Sequence, residues 1–409
     1  MGHPCSVEVA VTPTQSAPTT EDNVAALPPP EPTIDEDDII LTRYLYIKDE
    51  VQYALLTNLL QRDQSALFWS YELYYSGFTE DWWNFMWFIY LHFFALSNPG
   101  FFAYMKKKQS EWQKDKNNGD RTIAIITQTL MARPFTLDIF LARKLQEVRD
   151  KTPSPSPPSP NDQIHSMTFD DDPIHIAQQI AGLPFEQLDE YFTLYLANTT
   201  SASTLTKAFR QARFYNEQDR VLLLVHIFAI LNPSIPKGRD VYARVKPEDI
   251  AQYRTRTARS QQHRLLREVC CYGTDDNKLL HLFSTVRKRT DQPSFEEIYK
   301  DWLYWASFCP LWYQRMVIDG GAKIDHDRCH VRFPDGESFD RFDYLYNLEP
   351  DEQPAYIKHH LCPQVYAKTK EDDEQNPTNT TNTWRTFYEM FGGPKGFIRC
   401  SPEELDAFL

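Results

Sequence analysis

Residues 82–96 read Trp-Trp-Asn-Phe-Met-Trp-Phe-Ile-Tyr-Leu-His-Phe-Phe-Ala-Leu, and no other stretch limits the fold so strongly. A helix that is apolar all round has no face to give to water and must be covered on every side. A bilayer does not fit the role, because a span needs about 20 apolar residues. This run is shorter and carries Asn84 and His92. It therefore predicts a core helix, buried by other helices of the same body. Ser97-Asn98-Pro99 ends it, since proline cannot continue a helix and restricts the residue before it.

The segments upstream supply the covering helices. Val51, Ala54, Leu55 and Leu59 recur at helical spacing, and Gln61-Arg62-Asp63-Gln64 breaks the pattern. Residues 66–75 resume it, with Leu67, Tyr71 and Tyr74 on one face, and Ser76-Gly77 has the composition of a helix C-terminus. Short connections make consecutive helices antiparallel neighbours. Two more helices are expected over residues 101–116 and 120–148. The resulting fold class is mostly α: an antiparallel helical array of αα-hairpin repeats in two parts, with a small α+β appendage near the C-terminus.

Composition places the boundaries. Residues 1–34 are Pro-, Thr- and Ala-rich without apolar period and read as a disordered arm. The N-terminal helical domain is expected over 35–148. Residues 149–171 contain Lys-Thr-Pro-Ser-Pro-Ser-Pro-Pro-Ser-Pro, which prevents helix and favours an extended linker. A second helical domain spans 172–318, opening on Asp172-Pro173 as N-cap and first helical residue, with helices near 173–182, 184–197, 203–214 and 217–231. His226-Ile227-Phe228-Ala229-Ile230-Leu231-Asn232-Pro233 echoes His92-Phe93-Phe94-Ala95-Leu96-Ser97-Asn98-Pro99. Such an echo fits a degenerate duplication of a helical unit, or simply two apolar helices that both end at Asn-Pro. Ser294-Phe295-Glu296-Glu297 is a capping box opening a helix with Phe295, Ile298, Trp302 and Trp305 on one face. Residues 319–366 are turn-rich. Phe333-Pro334-Asp335-Gly336-Glu337 predicts the turn of a β-hairpin between Val331 and Phe339. Residues 367–383 form a polar linker, and 384–409 hold a helix, a short extended piece and a last turn capped by Ser401.

The formal net charge of −14 argues against a nucleic-acid coat, which needs a cationic face to neutralise phosphates. One local exception exists, a basic island over 237–290. Within it Arg254, Arg256, Arg259, Arg264 and Arg267 are spaced to line one side of a helix, which could contact nucleic acid. A charged helix face neutralised by the protein's own acidic surface is the plainer reading. The seven cysteines are scattered and odd in number, so they form no secreted disulfide framework and point to a reducing compartment. The N-terminus has neither the cationic start nor the apolar core of a signal peptide.

The chemistry-bearing clusters are few. No Walker A loop, dinucleotide fingerprint, nucleophile elbow or His-Glu-x-x-His occurs. His326, Cys329 and His330 with His359, His360 and Cys362 pair imidazoles with thiols in two short clusters, the donor set of a tetrahedral structural zinc. They lack Cys-x-x-Cys and finger spacing, and surface histidines with small buried thiols explain them as well. Asp319, Asp325, Asp327, Asp335, Glu337, Asp340 and Asp343 could hold Mg²⁺, though a solvated acidic loop needs no ion. No cofactor is expected, and no enzymatic activity.

Two segments carry a resemblance. Arg43-Tyr44-Leu45-Tyr46-Ile47-Lys48-Asp49-Glu50-Val51 leads into Ala66-Leu67-Phe68-Trp69-Ser70-Tyr71-Glu72-Leu73-Tyr74-Tyr75-Ser76-Gly77-Phe78. Together with Asn98-Pro99 they resemble an uncharacterised protein family of nucleocytoplasmic large DNA viruses, the giant viruses. The resemblance covers roughly residues 41–105. It implies a viral origin and residence in the host cytoplasm or viral factory, and it brings no catalytic residues. The expectation is a non-enzymatic scaffold or protein–protein interaction protein of the virion or viral factory, with other viral proteins as partners and no membrane span. The second expectation is a nucleic-acid-associated factor in viral replication or transcription, working through residues 237–290. Oligomeric state is not readable from the sequence.

Overall fold

The chain enters its folded body through a tight loop. In this computed structural model, which describes residues 39–116, 119–150, 172–198, 216–239, 241–254, 283, 298, 300–346 and 384–408, Leu41 bridges Ile47 antiparallel. Thr42 N–H donates to Tyr46 O at 2.8 Å and Lys48 N–H to Ile40 O at 2.9 Å. Leu45 closes the loop at φ 61°, a left-handed conformation that a leucine adopts at a cost. Its side chain is fully buried, and that burial offsets the strain.

Helices α1 (Lys48–Gln61) and α2 (Ser65–Tyr75) form an αα-hairpin across Arg62, which is left-handed at φ 61°. Asp63 Oδ1 accepts from Ser65 N at 2.7 Å and starts the second helix. The end of α2 is a Schellman turn: Phe78 N donates to Leu73 O at 3.0 Å and Gly77 N to Tyr74 O at 3.1 Å. Gly77 sits at φ 94°, and a Cβ there would come within 2.7 Å of Pro310 Cβ, so only glycine fits.

The apolar run is a helix, α3 (Thr79–Ile89), continuing as a π-turn over Tyr90–Phe94. Ala95 N donates to Tyr90 O at 2.7 Å, the wider i+5 bond of that turn. Trp82, Trp83, Met86, Ile89, Tyr90 and Phe94 are all fully buried, so the run is covered within the chain as its composition requires.

Helices α4 (Phe101–Lys114), α5 (Gly119–Met131) and α6 (Asp138–Asp150) follow. The single helix expected over 120–148 is therefore two. Pro134 breaks it, and Thr136 N turns aside to donate to Phe93 O at 2.9 Å. Beyond the Pro-rich segment come α7 (Pro173–Gly182), a 3₁₀ turn (Phe185–Gln187), α8 (Leu188–Asn198) and α9 (Glu217–Leu231). Asp172 accepts from Ile174 N at 3.0 Å and Asn216 from Asp219 N at 3.0 Å, so both N-caps are side-chain caps. The expected helix near 203–214 lies outside the described residues. Helix α7 packs directly on α6. Arg220 of α9 reaches over the end of α7 to donate to Ile180 O, and to Leu183 O at 2.7 Å. The described helices on both sides of residues 151–171 thus belong to one compact unit.

Residues 235–239 and 241–246 form an extended strap over α4 and α5 that leads into α10 (Pro247–Arg254). Helix α11 (Trp302–Ala306) and α12 (Pro310–Tyr313), the latter widening to a π-turn over Gln314–Ile318, lead to the appendage. The start of the helix expected from Ser294 lies outside the described residues. Strands β1 (Lys323–Asp325) and β2 (His330–Arg332) pair antiparallel with Ile324 opposite Val331. The hairpin exists, but upstream of the expected place. Asp335 does not close it. Its carboxylate accepts from Ser338 N at 2.7 Å and starts α13 (Gly336–Tyr346). Last come α14 (Trp384–Met390), a 3₁₀ turn and α15 (Pro402–Ala407), where Ser401 and Glu404 form the expected capping box. Ile398 N donates to Asp138 Oδ1 at 2.8 Å, tying this tail to the start of α6. The fold is mostly helical with one small two-stranded sheet among the described residues, as the sequence predicts.

One buried knot joins the two segments that carry the resemblance. Arg43 Nε meets Glu72 Oε2 at 2.9 Å, and Glu72 Oε1 accepts from Tyr44 N at 3.0 Å. Arg43 N donates to Ser76 Oγ at 2.8 Å, and its guanidinium lies 4.4 Å from the Tyr44 ring and 4.9 Å from the Tyr75 ring. The C-terminal elements close over this knot. Leu311 N donates to Ser76 O at 3.2 Å and Trp312 Nε1 to Thr42 O at 3.3 Å.

Candidate functional site

The hairpin places half of the His/Cys set. His326 and Cys329 lie in its turn and His330 begins β2. Burial alternates along β2, with Val331 inward and His330 and Arg332 exposed, so His330 faces solvent. The His326 ring packs edge-on to Tyr304 at 5.9 Å and near Phe308 at 6.2 Å. Cys329 adopts φ 49° to close the turn. His359, His360 and Cys362 lie outside the described residues. Among the described residues no group of three or more His, Cys, Asp or Glu side chains is gathered for a metal. Three carboxylates of the acidic set hold local structure instead. Asp319 accepts from Gln314 Nε2 at 2.9 Å, Asp325 from Arg328 N at 3.2 Å, and Asp335 caps α13.

Of the basic residues singled out, Arg254 ends α10, while Arg256, Arg259, Arg264 and Arg267 lie outside the described residues. Helix α10 is docked rather than free: Tyr253 stacks on Tyr71 at 4.7 Å and its carbonyl accepts from Arg43 at 3.3 Å. The strap before it is the more open basic surface. Gly238 N donates to Ser97 O at 2.8 Å, Arg133 to Val241 O at 3.0 Å, and Ala243 N to Thr129 Oγ1 at 3.0 Å. These bonds hold the backbone down and leave Lys237, Arg239, Arg244 and Lys246 exposed. Tyr242 packs against Tyr104 of α4 at 4.3 Å, beside the exposed Lys106 and Lys107. Basic side chains flanking aromatic rings are the composition of an anion-binding surface.

Sequence reading missed the third feature, a cavity of about 310 Å³ where α3, α6 and α9 meet. Phe88, Leu91, Phe140 and Val221 form its apolar wall, and His92 is among its polar lining groups. Arg143 pairs with Glu217 at 3.7 Å and Lys144 with Glu147 at 2.8 Å around the opening. His92 Nδ1 lies 2.9 Å from Phe88 O, one turn back along the same helix. A carbonyl can only accept, so Nδ1 carries the proton and Nε2 keeps its lone pair. Burial pushes the His92 pKa down to about 3, and nearby Arg143 adds to the shift. The ring is enclosed by protein yet keeps accessible surface, as a group on the floor of a concavity must. The signal in the sequence was a histidine one turn after Phe88 in an otherwise apolar helix.

The echo histidine behaves alike. His226 Nδ1 lies 2.7 Å from Leu222 O, and burial lowers its pKa to about 4. Both rings stay neutral in the fold, whereas the unfolded chain protonates them below about pH 6.5. Depressed folded pKa values mean stability is complete above pH 6.5 and is lost as pH falls toward 3–4. Each ring is expected to cost about 2 kcal/mol at pH 5 relative to pH 7. Urea unfolding of His226→Leu at both pH values checks this: the difference between them shrinks by that amount, and an unchanged difference refutes it.

No protein-family model matches the chain, and no curated protein or solved structure is similar to it.

Proposed function

We propose that the chain is a non-enzymatic scaffold or protein–protein interaction protein of giant-virus particles or viral factories, at work in the host cytoplasm. The supporting observation is the exposure of several large apolar side chains on the appendage. Tyr344 is 71% and Leu345 53% exposed on α13, and Phe339 and Ile318 are also open. Scattered apolar surface residues are ordinary, but adjacent large ones with an exposed tyrosine have the make-up of an interface hot spot. The tryptophans of α3, Trp82, Trp83 and Trp87, are buried in the core.

A second reading, a nucleic-acid-associated factor, draws on the exposed basic strap and Tyr242. One pair of variants separates the two. Tyr344→Arg with Leu345→Arg is expected to abolish cross-links to other viral proteins in infected cells and to leave the fold intact. Arg239→Glu, Arg244→Glu and Lys246→Glu together are expected to leave those cross-links unchanged. Cross-links that survive the first variant, with DNA or RNA binding lost in the second, transfer the function to the strap.

A further inference from the structure

We propose that the strap and the lysine face of α4 form one track for the sugar–phosphate backbone of duplex DNA, bound through charge and without sequence preference. The inference rests on the second reading above and deepens it, because it adds a second contacting element and names the part of the nucleic acid that is held.

Its first support is continuity. Tyr242 of the strap lies 4.3 Å from the Tyr104 ring of α4, and Lys108 Nζ lies 5.7 Å from that same ring. The strap, with Arg239, Arg244 and Lys246 exposed, therefore runs into the face of α4 that carries Tyr104. Helical spacing puts Lys107, Lys108, Glu111 and Lys114 along that face. The 14 residues of α4 are about 21 Å long, which spans several phosphates of one strand. The strap is seated closely, since a Cβ at Gly238 would run into the Asn98 side chain.

The second support is surplus charge. Glu111 meets Lys108 at 2.7 Å and Lys107 at 3.8 Å, so two lysines share one carboxylate. The hydrogen bond from Lys108 holds the Glu111 carboxyl below the usual carboxylate range, and the charges of Lys107 and Lys114 add to this. On the strap, Lys237, Arg239, Arg244 and Lys246 stand against one acidic residue in the sequence, Asp240. Of the carboxylates that follow, Asp249 is bonded to the Lys246 backbone N–H at 3.2 Å. Burial lowers the Lys237 pKa, a cost that a bound anion relieves. In a chain of net charge −14, this local excess of cations singles out a polyanion.

The third support is what the aromatic rings do. Tyr104 packs on Phe101 at 5.4 Å as well as on Tyr242, and the buried Arg133 guanidinium lies 4.6 Å from Phe101 and 5.2 Å from Tyr242. These rings brace the strap on α4. Single strands are held by bases stacked on open rings, whereas a duplex presents its phosphates to lysines acting as point charges.

Fluorescence anisotropy with the full-length protein and two unrelated DNA duplexes of about 20 base pairs tests this between roughly 50 and 200 mM salt. Both duplexes are expected to bind alike, with log Kd rising with log salt at a slope of about 4–6. Lys107→Gln, Lys108→Gln and Lys114→Gln together are expected to weaken binding on the order of tenfold or more and to lower the slope by about 2–3. Lys323→Gln, Arg328→Gln and Arg332→Gln, which remove as many charges from the hairpin, are expected to change neither. Failure to bind DNA at the lowest salt sinks both this proposal and the nucleic-acid reading. Binding that is lost in the strap variant but unchanged in the α4 variant overturns the proposal and leaves that reading standing. So does an equal loss in the hairpin variant, a sequence preference above about tenfold, or tighter binding of a single strand of the same length. Polyglutamate that competes as well as DNA at equal charge gives the track to an acidic protein instead and overturns the proposal.

Discussion

Replacing Glu72 with alanine is expected to destabilise the fold by about 3–5 kcal/mol, the cost of stranding one partner of a buried ion pair. The Glu72 side chain has no exposed surface and that of Arg43 is 9% exposed, so water cannot replace the lost carboxylate. Arg43 would keep its contacts with the Tyr253 carbonyl and two tyrosine rings, none of which carries a full negative charge. The Tyr44 N–H would also lose its acceptor. Replacing both charges together, as Arg43→Met with Glu72→Leu, removes the stranded charge. That double variant is expected to be more stable than the sum of the single losses allows. Urea unfolding of Arg43→Met, of Glu72→Leu and of the double variant measures this cycle. A Glu72→Ala loss under about 1 kcal/mol would place the pair among ordinary surface ion pairs and refute the argument.

The second large effect is expected at Trp312, where alanine should cost about 3–5 kcal/mol and phenylalanine only about 1–2. Trp312 is fully buried against Trp302, Phe342 and Tyr346, and the Arg315 guanidinium lies 4.6 Å from its ring. Its indole N–H reaches Thr42 O across a sequence separation of 270. Alanine opens a cavity at the joint between the N-terminal loop and the C-terminal appendage, and phenylalanine fills most of it while stranding no group, because the Thr42 carbonyl keeps the Leu45 N–H at 2.9 Å. Hydrogen exchange provides the readout. Amides of residues 301–346 are expected to lose protection before those of α3, because the appendage is held mainly through this joint. Uniform loss of protection across both regions would show that the joint is not a separate point of weakness.

What was legible in the sequence was what short-range physics decides. The run from Trp82 to Leu96 had to be buried whatever surrounded it, because it offers water no face. Gly77, Asp172-Pro173 and the Ser401/Glu404 box announced helix ends because caps are satisfied by atoms a few residues away. The split of residues 120–148 was also in view, at Pro134, but the apolar period on both sides hid it. Asp335-Gly336 shows where local chemistry is ambiguous. Asp followed by Gly serves a turn or a helix N-cap equally well. Phe342 packing on Trp312 selected the helix.

By itself the sequence determined a helical class, the order of most helices and which segments must lie inside. Only the tertiary structure decided which distant polar groups meet: Arg43 with Glu72, Trp312 with Thr42, and His92 with an opening built from three helices. The reason is physical. Helix periodicity and caps act over a few residues and leave a repeating mark in the chain. Long-range pairs are set by which faces pack. Nothing in the spacing of an arginine and a glutamate, or of a histidine and two phenylalanines, records that they will share one site.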